Sequence, residues 1–452
     1  MITEEKLQDK YLSSGARKLL QHPQGMGNYF TFKSAAKILG LDIEQIAPDG
    51  AYNAKGEGYY DLGYMANHIG PPESAIKTLK ETSSHDVVSV YPPDCTQELK
   101  QLVATQKFSR TLGDDFTVMG VEGAQGGIGY TYLSFLDKGD EVIVTDPGYF
   151  HFVPAAEVVG AKVVKIQLNK NNNYRLNPSE VRDAITDKTK MIVVCDPINP
   201  FGTVQTKEEL LEIAKIAREN NILIFNNVTH NTHKHNNDNT RQIPMASLHS
   251  EETPMDHVIS VSGTSKGYGM PALRVGFMAG HPALIRGAFL IKMGVTKIHI
   301  NYPGQFAALT AMKDKEYIEK STNILRRNYA HIKETIDQTD GVTIPVESLY
   351  GFSMVIDVSE TGVTAQEITV GLLKNKIVVT PGDGLGEHGA TEYIRLNYSY
   401  PDIECFEQFR KALPKAIEDA QTGKYKEGVV AFYKEVGSNR GAEIVKMINS
   451  RS

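Results

Sequence analysis

The chain has 452 residues, of which 41% are hydrophobic and 23% charged, with a net charge of -6 and a pI near 6.1; this is globular composition, long enough for two or three domains. The acidic balance gives no global reason to expect nucleic acid as a partner. No apolar run reaches the ~18 residues of a membrane span, and neither a signal peptide nor a disulfide framework from Cys95, Cys195 and Cys405 is evident, so a cytoplasmic protein is expected.

In chain order, residues 1–57 hold glycine-bearing stretches (GMGNYF, PDGAYNAKGEG) and read as an N-terminal extension that wraps a surface rather than forming a core. Residues 58–100 begin a smaller domain. Within 101–300, DEVIVTD at 140–146 is predicted as a strand ending in a turn at Pro147-Gly148. AAEVVGA follows as a helix, KVVKIQL as a strand and SEVRDAI as a helix. KMIVVCD, NILIFN and HVISVSG read as further strands. KEELLEIAKIAREN at 207–220 sets Leu210, Leu211, Ile213, Ile216 and Ala217 on one helical face. The asparagine-rich run near 236–239 reads as an exposed loop. Continuous apolar strands linked by amphipathic helices predict an α/β domain, a mostly parallel sheet sandwiched by helices. From 303 the pattern changes to long helices until about 338. The strand GFSMVIDV, a helix near 365–375, the strands KIVVTPG and YIRLNYS, and a helix over about 402–421 follow. This order predicts a smaller α+β domain from 58–100 and 301–424. Residues 425–452 read as a C-terminal helical extension.

The segment VSGTSKGYGMPALRVGF at 261–277 is the most informative. A lysine near a glycine is ordinarily a solvated side chain. Lys266, however, follows hydroxyls at Ser262, Thr264 and Ser265, and Arg274 lies beyond the glycine loop. A phosphate requires several donors and a fixed positive charge, and arginine supplies two parallel bonds. A lysine forms an imine with an aldehyde cofactor, most readily when burial lowers its pKa. Arg274, flanked by Leu273 and Val275, needs a partner if buried.

This segment resembles the lysine region of the fold-type I, class I/II aminotransferases, which use pyridoxal 5'-phosphate (PLP). The resemblance runs over about 58–420, with further motifs in the family's order. It makes Lys266 the catalytic Schiff-base lysine and Arg274 a phosphate ligand. GAQGGIGYTYLSF is similar to the phosphate-cup turn, which implies that the N–H groups of Gly123, Ala124 and Gln125 face the phosphate. DPGYFHF resembles the segment whose aromatic ring, here Tyr149, stacks on the pyridine. DPINPFGTV resembles the N-P-x-G turn, which puts Asn199 beside the phenolic oxygen O3'. EYIRLNYS resembles the strand whose arginine, here Arg395, grips the substrate α-carboxylate. Tyr91 resembles a tyrosine contributed across a dimer interface, which implies a homodimer. Taken singly, Tyr149 also reads as a core aromatic, Asn199 as a turn former and Arg395 as the partner of a surface acid such as Glu392.

The chain departs from the family at four places. The aspartate that pairs with the pyridine nitrogen N1 is replaced by Asn227, or by Asn226 if the register slips by one. A carboxylate there keeps the ring protonated; a neutral amide either donates to an unprotonated N1 or accepts from a protonated one. His230 stands where a tyrosine usually donates to O3'. Met65 stands where a glycine often lies beside the substrate. Gly263 stands where a serine often binds phosphate, so Ser262, Thr264 or Ser265 would have to serve. The run His230, His233, His235 invites a metal reading, but no HExxH-type glutamate accompanies it. No metal is expected. The expected function is an aminotransferase-like PLP enzyme acting on an α-amino acid. The alternative is elimination, replacement, cyclisation or oxidation in a biosynthetic pathway; the same fold supports all of these. A non-catalytic scaffold would have no need of Lys266, Arg274 and Arg395.

Overall fold

A computed structural model of the chain describes residues 8, 10, 12–22, 28–236 and 238–450. Strand β1 (Tyr60–Asp61) is followed by β2 (Thr117–Glu122), β3 (Glu141–Asp146), β4 (Lys162–Gln167), β5 (Thr189–Cys195), β6 (Leu223–Asn227), β7 (Val258–Gly263) and β8 (Val275–Gly280). Strands β2 to β8 form one sheet in the order β2-β8-β7-β6-β5-β3-β4. Strand β8 runs antiparallel to both neighbours, and the remaining pairs are parallel. Every residue of β7 and β8 is buried. Helices on both faces bury both sides of the sheet, so the strands are continuously apolar rather than alternating.

The helix Lys207–Glu219 buries Leu210, Ile213, Ala214, Ile216 and Ala217. Its start is fixed by a capping box, in which Glu209 N–H donates to Thr206 Oγ1 at 3.1 Å and Thr206 N–H to Glu209 Oε2 at 2.8 Å. Strands β3, β5, β6 and β7 all end at one edge of the sheet. The loops bearing Tyr149, Asn199, Asn227 and Lys266 therefore meet at their carboxyl ends, where open α/β sheets bind ligands.

A second sheet holds β9 (Ser353–Asp357), β11 (Thr380–Pro381) and β12 (Tyr393–Asn397), with β12 antiparallel between the other two. Strand β10 (Ile377–Val378) pairs in parallel with β1. The expected single strand KIVVTPG is thus divided between two sheets at Val379. The long helical stretch after 302 is two helices, Tyr302–Lys313 and Lys315–Asp337, divided at Asp314, whose carboxylate accepts from Tyr317 N–H at 2.9 Å. The single helix expected over 425–449 is also two, Lys426–Val436 and Asn439–Ser450; Gly437, at φ 65°, ends the first.

The expectation that residues 1–57 form no core is overturned. Phe30, Phe32, Ala35, Ala36, Ile46, Ala47 and Ala54 are buried in the same cluster as Leu372, Phe406 and Phe409. The signal was present as helical spacing of Phe32, Ala35 and Ala36 in the helix Phe32–Leu39, masked by the neighbouring glycines.

Candidate active site

A cavity of about 830 Å³ opens at the carboxyl edge of the large sheet, walled also by the second sheet and the N-terminal segment. Lys266 lies in it, in the single turn Thr264–Gly267 that follows β7. Its Nζ donates to the Met65 carbonyl. Burial, with the Arg395 and Arg274 guanidinium groups adding to it, brings the amine down to about 7. The backbone around it is held from behind. Asn67 Nδ2 donates to the Lys266 carbonyl at 2.8 Å, and His233 Nε2 bonds the Gly267 carbonyl at 2.8 Å.

Arg274 marks one end of the cavity. It adopts φ 54° and is exposed in the single chain, so the argument from burial does not apply to it. Its Nη2 donates to the Glu122 carbonyl at 3.0 Å and Nη1 to the Pro271 carbonyl at 3.2 Å. Gly123 has φ 64°, and a Cβ there would stand 2.5 Å from Arg274 Nη2, so only glycine leaves room for the guanidinium. Ala124 and Gln125, at the start of the helix Gly123–Phe135, line the cavity beside it. Two expectations are corrected here. The Gly123 N–H does not face the cavity, because it donates to the Arg274 carbonyl at 3.0 Å. Thr264 is not on the wall either, because its hydroxyl donates to the Val275 carbonyl at 3.1 Å. Ser265 is the hydroxyl of this segment that lines the cavity.

Tyr149 follows β3, and its hydroxyl donates to Gln125 Oε1 at 3.1 Å. Asn227 closes β6 and lines the cavity, whereas Asn226 is built into the fold by bonds to the Val194 carbonyl (3.1 Å) and from Met245 N–H (3.2 Å). Of the two asparagines, Asn227 is the one on the cavity wall. Its Oδ1 accepts from Thr229 N–H at 3.0 Å and from Thr229 Oγ1 at 2.5 Å. A backbone N–H only donates, so Oδ1 faces Thr229 and the NH₂ is the half left for the cavity. His230 is held neutral, its pKa lowered to about 3 by burial and then by Lys266 and Arg395.

Arg395, on β12, marks the opposite side and is 6% exposed. Its Nη2 donates to the Gly63 carbonyl at 2.9 Å and its Nη1 to Asn199 Oδ1 at 3.4 Å; its Nε has no partner among the described residues. Burial lowers its pKa to about 10, which leaves it charged near neutral pH. A buried cation bonded to two neutral acceptors, with one donor unpaired, is a place for an anion. Met65 lines the wall beside it. Tyr91 does not reach this cavity from its own chain; it is 84% exposed and packs edge-on against His299 at 5.4 Å.

Sequence reasoning missed His151, Tyr64 and Tyr29, which also line the cavity. His151 is kept neutral, at about 4, by burial and by Lys266. Its signal was the aromatic run of DPGYFHF, from which only Tyr149 was taken. The other histidines have structural partners. His233 Nε2–H donates to Gly267 O, its Nδ1 accepts from Thr322 Oγ1 at 3.0 Å, and His235 Nε2 meets the Tyr398 hydroxyl at 2.6 Å. Among the described residues no group of three His, Cys, Asp or Glu side chains is placed to hold a metal ion. Replacing His233 by alanine is expected to cost about 2–4 kcal/mol of stability, because two buried bonds are lost and Gly267 O is left unpaired. A urea midpoint within error of the parent's would refute that role.

The profile of the family described as aminotransferase class I and II matches residues 58–413. The histidinol-phosphate aminotransferase of Methanosarcina mazei is 29% identical over 81% of this chain and 90% of its own length. The aromatic-amino-acid aminotransferase 2 of Thermococcus litoralis is 25% identical over 79% of this chain and 91% of its own. Among solved structures, a mutant of Thermus thermophilus aspartate aminotransferase superposes with a TM-score of 0.75 at 21% identity. It covers 90% of this chain and 99% of that one, and supports the fold.

Proposed function

This chain belongs to the class I and II aminotransferase family, an aminotransferase-like enzyme of a PLP-dependent family, and from that premise we propose that it binds PLP covalently at Lys266 and acts on an α-amino acid. The observation that carries the reading is one buried amine at about 7 that shares the wall of one cavity with two guanidinium groups, Arg274 and Arg395.

The donor set fits the cofactor. Arg274, the Ala124 and Gln125 N–H groups and the Ser265 hydroxyl would hold a phosphate at a helix start. Tyr149 would cover the ring face, Asn199 and His230 would lie beside the phenolic oxygen, and the Asn227 NH₂ would donate to the ring nitrogen. Bound PLP supplies an aldehyde that condenses with amines and a ring that accepts electrons released at Cα. Arg395 would take the substrate carboxylate, with Met65 alongside. Lys266 Nζ, neutral above about pH 7, removes the Cα proton and can return it at a neighbouring carbon. His230 and His151 remain neutral and each offers a hydrogen-bond donor or acceptor near Lys266.

One observation favours the second reading, a PLP reaction other than amino-group exchange in biosynthesis. The Asn227 NH₂ faces the cavity, and a donor at that position stabilises an unprotonated ring nitrogen, which is a weaker electron sink. Incubation with pooled amino acids followed by mass spectrometry separates the two. Stoichiometric keto acid with pyridoxamine phosphate supports transamination, and ammonia or a new bond supports the alternative. No product from any amino acid would defeat both.

A homodimer follows from the same reading. Val88 and Val90 are 62% and 51% exposed beside the 84% exposed Tyr91, a surface suited to a second copy whose phosphate site Tyr91 would complete. A fully active chain that sediments as a monomer contradicts it. Cys95, Cys195 and Cys405 are buried free thiols, which supports a reducing, cytoplasmic setting. No helix of the described residues is long and apolar enough to cross a membrane.

A further inference from the structure

Residues 29–32 precede the stretch matched by the family profile, yet they form part of the cavity wall. Two anchors fix them. On one side Asn28 Nδ2 donates to the Leu20 carbonyl at 2.9 Å and to the His22 carbonyl at 2.7 Å. On the other, Phe30 N–H donates at 2.7 Å to the buried Asp383 carboxylate, which also accepts from the Tyr433 hydroxyl at 2.6 Å. The Phe30 ring meets Phe432 edge-on at 5.2 Å. Between these anchors Tyr29 lines the cavity. Its ring lies along Gly384, where an added Cβ would be 3.0 Å from Tyr29 Cδ2 and 3.3 Å from Thr380 Cγ2. Thr380 is the register partner of Arg395 across β11 and β12. The Tyr29 ring also meets Phe150, tilted by 49° with ring centroids 6.2 Å apart.

The Tyr29 phenol and the Arg395 guanidinium sense one another. Arg395 lowers the Tyr29 pKa against the rise caused by burial, and Tyr29 is the foremost of the groups that favour the charged form of Arg395. The Tyr29 hydroxyl makes no hydrogen bond to a described residue. A carboxylate accepts about four hydrogen bonds, and the Arg395 Nε donor is unpaired.

We infer that Tyr29 is a substrate-binding residue: its hydroxyl donates to the carboxylate held by Arg395, and its ring is held in place between Gly384 and Phe150. This rests on the reading of Arg395 as the carboxylate grip. It gives the N-terminal segment, which lies outside the family's matched region, a part in choosing the substrate. The segment is held on both sides of Tyr29, so little ordering remains to be done on binding.

The test is titration calorimetry of the PLP-loaded enzyme with 3-phenylpropionate, an aromatic monocarboxylate, and with phenethylamine, which lacks the carboxylate. Tyr29→Phe keeps the ring and removes the donor. The expected result is that 3-phenylpropionate binds the parent protein, that its Kd rises about tenfold in Tyr29→Phe, and that the Kd of phenethylamine is unchanged. Gly384→Ala, which displaces the ring and its hydroxyl, is expected to weaken binding of 3-phenylpropionate as well. Equal weakening of both probes in Tyr29→Phe, an unchanged Kd for 3-phenylpropionate, or no binding of it by the parent overturns the inference. Borohydride labelling of Lys266 in the same proteins keeps the two levels apart. A labelled lysine with an unchanged Kd defeats the role of Tyr29 alone, and an unlabelled one defeats the reading beneath it.

Discussion

Lys266→Ala is expected to abolish covalent cofactor binding and to lower amino-acid turnover by about 10⁴-fold or more, because one side chain supplies both the attachment and the base. The backbone around the site should survive. The Lys266 carbonyl is held by Asn67 and the next carbonyl by His233, and neither bond involves the lysine side chain. The violet absorption of the attached cofactor should vanish while the folded signal persists. The sign of the pH dependence follows from the site. Burial and two guanidinium groups disfavour the ammonium form, so the proton leaves near pH 7 instead of 10.5. Attachment of PLP by the stripped protein should therefore accelerate between about pH 6 and 8 and level off above. A rate still climbing toward pH 10 would mean that the amine is not in the environment described here.

The second large effect is expected at Asn227. In Asn227→Asp one carboxylate oxygen keeps the two Thr229 donors now on Oδ1, and the other replaces the NH₂. A carboxylate in that place favours a protonated ring nitrogen, and a charge interaction of 1.4–3 kcal/mol corresponds to about tenfold to a hundredfold in rate. Exchange of the substrate Cα proton with deuterated solvent, followed by proton NMR, should accelerate by that factor, with more amino-group transfer among the products. Unchanged exchange and unchanged products would remove Asn227 from the ring nitrogen.

The large sheet was legible because its strands are apolar throughout and its helices keep one buried face, as in Lys207–Glu219. The motifs around Lys266, Tyr149 and Asn199 were legible because each follows the end of a strand, where sequence order and spatial order agree, and Arg395 because it lies within the strand β12. What escaped depends on groups far apart in the chain. Whether the Gly123 N–H is available depends on the Arg274 carbonyl, and which half of the Asn227 amide faces inward depends on Thr229. The N-terminal segment was misread because its local composition resembles a loop. Its burial comes instead from helices near the other end of the chain, through Phe432 and Tyr433 against Phe30. Helix ends were misplaced for a similar reason. Asp314 and Gly437 divide helices through a cap and a left-handed turn that hydrophobic periodicity does not register.

The central claim is a covalent bond between PLP and one lysine. Borohydride treatment of the PLP-loaded protein, digestion and mass mapping of the peptides test it directly. The account predicts a single reduced pyridoxyl group on residue 266, absent from Lys266→Ala. A modification located on another lysine, such as the buried Lys107, or no modification at all, would contradict it.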